Sequence, residues 1–426
     1  MRLSPDIATV IASDDDLGRD LAALCDCGGR LAGTESEAQA IAYLREGGAR
    51  ATGVPCRSLP VRYAGWSAAA AELRLPDGSI APCKALVRTV GTPAGGLSAE
   101  VVDLGRGTPE EFAAHRADIA GRIVLVRHEA MFVAGTIHRR RKYEMAREAG
   151  GVGFLIAGPE AGGLVAGSSG RGPGEPGIPA AGIAPETAAR LRRRAEAWPR
   201  VTLSLAISEQ DAVTETLLFD IPGREESWVV LSAHLDGHDL AESAIDNASG
   251  VAAALAVARA LAPHVGGWQR GIRLAFFSVE EWALTGSARY LDGLGEAERD
   301  AITLNVNLDS VGGSPNLAAL TSGFAGIEPF LLSVAEANEV PLRCVRPLLV
   351  NSDHANFAAA GIPAFRLVAG YDDPAAETRY VLTAGDTRSR VRPAELARAT
   401  RLTAAIAAAS CQATPGEAKG WRAKRV

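Results

Sequence analysis

The chain has 426 residues, 47% of them hydrophobic and 22% charged, enough to bury large cores in two or three domains. Its 46 glycines and 23 prolines are spread throughout and exclude a coiled coil, and the ordinary apolar content excludes disorder as the main state. A formal net charge of -6 gives no support to a nucleic-acid surface, so no nucleic-acid partner is expected.

Residues 1–58 read as largely helical. Thr34-Glu35-Ser36-Glu37 has the form of a capping box, and the helix that follows is expected to close at Gly47 and Gly48. From about 59 to 210 short apolar runs, such as Ile123 to Val126 and Val152 to Ile156, are punctuated by Gly and Pro. Between those two runs Arg139-Arg140-Arg141-Lys142 opens a helix and reads as a solvated face. The Gly-, Pro- and Ser-rich segment 157–179 reads as a long loop.

From 211 to 410 strands and helices alternate. Trp228 to Ala233, Ile272 to Val279, Thr303 to Leu308 and Ala364 to Val368 are buried-type strands, and Ala248 to Ala262 is a helix ended by Pro263. The expected architecture is therefore an α/β domain built from 1–58 and 211–410, with a mostly parallel central sheet flanked by helices. A β-rich domain, 59–210, is inserted in it, and 411–426 forms a loose tail.

Six cysteines, Cys25, Cys27, Cys56, Cys83, Cys344 and Cys411, form no CxxC pair and read as reduced thiols. The N-terminus carries Asp14-Asp15-Asp16 and no apolar leader core, and no run approaches about 18 uninterrupted apolar residues. No membrane partner is expected, and the expected location is cytoplasmic.

Acidic and imidazole groups cluster where the strands of the last region end: His234 and Asp236, Asp246 at the start of a helix, Glu280 and Glu281, Asp309, and Ser352-Asp353-His354 after Leu348 to Val350. Singly, each has a plain structural reading: Asp246 as a helix cap, the paired glutamates as solvated, Asp309 as a turn residue. Jointly, they suit Zn²⁺ or a similar divalent ion at the carboxyl ends of a sheet. His234 would bind the ion, with Asp236 on its other ring nitrogen. Asp246 would bridge two ions. One of Glu280 and Glu281 would bind metal while its neighbour takes a proton from water. Asp309 would complete the first shell.

These stretches resemble the zinc aminopeptidases of the aminopeptidase Y and bacterial leucyl aminopeptidase type, whose wider relatives include glutamate carboxypeptidase, glutaminyl cyclase and the transferrin receptor. The matching segments are Leu31 to Thr34, Ser232 to Asp236, Asp246 to Gly250, Phe277 to Glu281, Asn307 to Asp309 and Ser352 to His354. Gly121 to Val126 and Ala149 to Gly153 resemble a protease-associated domain. The resemblance implies a zinc-exopeptidase fold, with His234, Asp246 and Asp309 as ligands of one zinc and Asp246 and Glu281 of a second. It also implies Glu280 as general base, Asp236 as support for His234, and a cis peptide after Asp246. The implied reaction is hydrolysis of a peptide or amide bond by metal-activated water, most simply as an aminopeptidase. A deacylase, amidase or cyclase of a small metabolite, or a non-catalytic relative of the transferrin-receptor kind, are the alternatives.

The sequence departs from the family in one place. Where a second-zinc histidine is usual, the stretch Tyr380 to Thr387 carries Leu382, and no histidine follows His354. One zinc is firmly expected. The second is lost, or is rescued by another side chain such as His354, or is abandoned with a change of activity. The expected partner is a peptide or small amide substrate, and homo-oligomerisation is left open.

Overall fold

The computed structural model describes residues 1–192 and 197–423. Its central sheet runs, from one edge, through Leu342–Val345, Leu317–Leu320, Ala364–Ala369, Ile302–Leu308, Trp228–His234, Gly271–Phe277 and Arg200–Ile221. The four middle strands of this set are parallel to one another. Antiparallel pairings join Leu317–Leu320 and Arg200–Ile221 to them, so the sheet is mixed and mostly parallel, as expected.

Those middle strands are almost wholly buried, which is why they read as unbroken apolar runs rather than alternating ones. Helices Ser249–Val265 and Pro393–Gln412 supply alanine-rich buried faces to the same core. Pro263 lies inside the first of these rather than ending it.

Two long antiparallel strands, Arg57–Arg74 and Arg200–Ile221, pair along their length and carry the chain out to the inserted lobe and back. The expected boundary at 210/211 thus falls inside a continuous strand. In the lobe Leu97–Asp103, Ile123–Arg127, Gly153–Ala157 and Ala180–Ile183 form a parallel set. Helices such as Arg139–Glu148 pack on it around a core of its own.

Three expectations fail for physical reasons. The helix Glu35–Thr52 runs through Gly47 and Gly48 to a left-handed Gly53 at φ 72°. Gly48 is an approach point: a Cβ there would lie 2.3 Å from Phe219 Cζ. Residues 348–350 form no strand, and Leu348 and Val350 are exposed, so Asp353 and His354 stand at the start of the helix His354–Ala359. The tail is not loose over the described residues. Pro415–Trp421 is a capped helix whose Trp421 is buried against Phe330, with ring centroids 4.7 Å apart.

Candidate metal centre

The strand register places the site. Phe277 pairs with His234, and Asn307 with Ser232, so three parallel strands end at the same level of the sheet. His234 is the last residue of its strand; Glu280 and Asp309 follow the ends of theirs. Val279, a β-branched residue held at φ 53°, turns the chain so that Glu280 and Glu281 stand side by side over the sheet edge.

Asp246 arrives from the turn before helix Ser249–Val265, and its peptide to Asn247 is cis, as the resemblance implies. Asn247 ties this turn to the Asp309 strand. Its Nδ2 donates to the Leu308 carbonyl at 2.9 Å, and its Oδ1 accepts from the Ser310 amide at 3.2 Å. Asp386 accepts from the Ile245 and Asp246 amides at 2.6 and 3.2 Å. Arg30, wholly buried, donates to the carbonyls of Leu235, Glu242 and Ser243, and so joins the N-terminal segment to both site loops.

The ligand atoms of His234, Asp246 and Asp309 all lie within 4.8 Å of one another, and all three residues are buried. His234 Nε2 faces Asp246 Oδ1 at 3.1 Å and Asp309 Oδ1 at 3.6 Å, yet has no hydrogen-bond partner among the described residues. An orphaned imidazole nitrogen between two carboxylates is a donor set that fits zinc. Burial opposes a charge on His234, but Glu280 and Asp309 outweigh it and hold the ring's pKa well above its usual range.

Asp236 has a different job from the one expected. Its backbone carbonyl, not its carboxylate, meets His234 Nδ1 at 3.0 Å, while Oδ1 lies 3.8 Å away. The carboxylate instead accepts the amides of Glu280 and Glu281, at 3.0 and 3.1 Å. The residue two positions on therefore holds the imidazole by its main chain and the glutamate pair by its side chain.

Glu280 and Glu281 line one cavity with Asp246 and Asp309. Burial pushes Glu280 well above the carboxylate range, and pushes Glu281 up to about 8 with Asp246 adding to it. Neither Glu281 nor His354 belongs to the close ligand group. His354 is not among the residues that line this cavity with Leu382. Its ring is wholly buried, neither nitrogen is hydrogen-bonded among the described residues, and burial with Arg366 nearby pushes it down to about 3.

Two cations were not legible as site residues. Arg366 donates to Ser310 Oγ and lies 3.0 Å from Asp309 Oδ1; it is buried over the Phe132 ring. Arg139 comes from the inserted lobe. The basic run 139–142 is not a solvated face, because Arg139 and Lys142 are both buried. Lys142 pairs with Glu129 at 2.5 Å, and Arg139 lines the cavity beside Glu281 and Leu382. Nothing in the run marked it, because Glu144 stands four residues after Arg140 as on an ordinary solvated face.

Residues 216–407 match the family model described as Peptidase family M28, and residues 86–191 match the PA domain. Leucine aminopeptidase 2 of Trichophyton equinum is 31% identical over 143 residues, 33% of this chain and 28% of that protein. Aminopeptidase YwaD of Bacillus subtilis is 29% identical over 219 residues, 51% of this chain and 45% of that protein. The chain thus matches less than half the length of either relative. Among solved structures, a zinc aminopeptidase from Bacillus subtilis superposes with a TM-score of 0.75 at 22% identity, over 93% of this chain and 94% of its own.

Proposed function

We propose that the chain, which matches the model of peptidase family M28 over residues 216–407 and the PA domain over 86–191, is a metal-dependent hydrolase of peptide or amide bonds, most simply an aminopeptidase. The observation that carries the reading is the orphaned Nε2 of His234 between Asp246 and Asp309, with two buried glutamates beside it. The resemblance of parts of the chain to leucine aminopeptidase 2 and aminopeptidase YwaD supports it.

His234, Asp246 and Asp309 would hold one zinc, which supplies a Lewis acid that polarises the scissile carbonyl and acidifies water. The chain's own residues do the rest. Glu280, with its raised affinity for protons, takes a proton from the attacking water and delivers it to the leaving amine. Asp236 fixes the backbone of the glutamate pair, so the base does not swing away when it is protonated. The buried setting excludes bulk water and strengthens each of these interactions.

A second reading is favoured by one observation. Arg139, Arg140 and Arg366 line the cavity along with its carboxyl groups. Three guanidiniums lining the site would disfavour the free ammonium of an aminopeptidase substrate and suit a neutral or acidic acyl group, as in an amidase or deacylase. A screen of chelator-treated and zinc-restored protein against amino-acid anilides and N-acyl amino acids decides. Turnover of either class that disappears with the metal and returns with zinc is expected. The class that turns over faster chooses between the readings, and no metal-dependent turnover of either removes both.

A further inference from the structure

The second metal position of this site does not fit a metal. Leu382 cannot ligate, His354 does not line the cavity, and Glu281 stands outside the close ligand group. The same cavity is lined by a cation of another kind. Arg139 is 3% exposed and lines the cavity with Asp246, Glu281 and Leu382. Its Nε donates to the Ser168 carbonyl at 2.7 Å, which aims the guanidinium, and its Nη1 has no hydrogen-bond partner among the described residues.

Leucine and arginine fit one another here. A Cβ on Gly167, held at φ 91°, would lie 2.5 Å from Arg139 Nη2 and 2.8 Å from Leu382 Cδ1, so the two side chains close on one point. Only glycine leaves room for that approach. The Ala166 amide donates to the Leu382 carbonyl at 2.8 Å, and Val165 bridges Thr383, so the lobe and the Leu382 loop are fastened together at this point. The charge is sited to matter: Glu281 lines the same cavity, and its Oε1 has no hydrogen-bond partner among the described residues.

We propose that the guanidinium of Arg139, carried in by the inserted lobe, takes the place of the second metal ion, so that the chain binds one ion at His234, Asp246 and Asp309 and uses a fixed side-chain cation for the other. This rests on the metal-hydrolase reading of the first position, but it is tested without turnover. A cluster of buried carboxyl groups lining one cavity is stabilised by a positive charge beside it. A guanidinium supplies it permanently, whatever the supply of metal. Leu382 is then the residue that makes space for it, where an imidazole would compete for the same position.

The experiment is elemental analysis after dialysis, with zinc affinity measured by chelator competition. It is made on the native chain, Arg139→Ala, Arg139→Lys, Leu382→His and the double variant Arg139→Ala/Leu382→His. One ion per chain is expected in the native protein and in each single variant, and two in the double variant. Removing a neighbouring positive charge should tighten the first ion in Arg139→Ala by about tenfold or more, while Arg139→Lys keeps the native affinity. Two ions in the native protein or in Leu382→His alone would overturn the proposal, as would unchanged first-ion affinity in Arg139→Ala. One ion in a double variant that still melts cooperatively also overturns it. If the double variant does not fold, the count in Leu382→His and the affinity in Arg139→Ala still decide. A native chain with one tightly held ion and no turnover of any amide would remove the hydrolase reading and leave this one standing.

Discussion

The two halves of the site are built in different ways. The half holding His234, Asp246 and Asp309 stands on parallel strands in fixed register, with Asn247 and Asp386 locking the one ligand that comes from a loop. The half holding Glu281, Leu382 and Arg139 is assembled across the seam between the α/β domain and the inserted lobe. Ligands on a sheet edge are positioned by backbone hydrogen bonds, and a single replacement there leaves a buried charge unpaired. At a seam the neighbour is a loop or a second domain, and a lost imidazole can be answered by a residue far away in the chain. The difference teaches that, on the proposed reading, metal chemistry stays with the strand-borne half, and the seam is where such a site is free to change.

The sharpest way to break this comparison is to damage the strand-borne half. His234→Ala removes the one imidazole of the first position. The ion should be lost on dialysis, and kcat/KM should fall by about 10³–10⁴-fold, matching the several kcal/mol a Lewis acid contributes. Retained metal and turnover would mean that the ion sits at the seam after all. Glu280→Gln should keep one ion and the fold while lowering kcat by about 10²–10⁴-fold, the range of general-base catalysis. Turnover equal to the native rate would remove Glu280 from the proton path.

A smaller effect separates the two jobs of Asp236. Its main chain holds the His234 ring and its side chain holds the amides of Glu280 and Glu281. Asp236→Asn keeps the main-chain contact and one acceptor oxygen but offers an amide group where the second oxygen was. The rate should therefore fall by about 10–100-fold with zinc affinity unchanged, the range for residues that orient a metal site's working groups. A matching loss of zinc affinity would show that the carboxylate acts on the imidazole.

Much of the strand-borne half was legible. His234, Asp309 and the glutamate pair each follow a buried apolar run, and a strand's end is a place that sequence periodicity marks. The apolar runs fixed the sheet because strands buried on both faces must be apolar throughout. The seam was not legible. Nothing in Arg139-Arg140-Arg141-Lys142 tells that two of its cations are buried, because that depends on a lobe packing against a loop some 240 residues on. Gly48 failed for the same reason: a glycine that admits Phe219 and a glycine that ends a helix are one letter in the sequence. The tail misled because Trp421 has its partner, Phe330, on a distant helix.

The smallest expected effect compares the halves through their buried histidines. His128, in the lobe, is pushed down to about 3 by burial and by Arg139; His354, beside the sheet, is pushed to about 3 by burial and by Arg366. In the unfolded chain both return to about 6.5. Between these values the unfolded state binds more protons than the folded one, so stability is fully present above pH 6.5 and falls as the pH drops toward 3. From pH 7.5 to 6 each such histidine should cost roughly 0.8 kcal/mol, from the usual 1.36 kcal/mol per pKa unit. Urea unfolding at the two pH values measures it, and His128→Asn should lose that share of the acid sensitivity. A change made beside the sheet, such as Glu280→Gln, should leave the His128 share intact, because burial in the lobe is the main cause of the His128 shift. Equal acid sensitivity in the native chain and His128→Asn would mean that the lobe does not hold this imidazole uncharged.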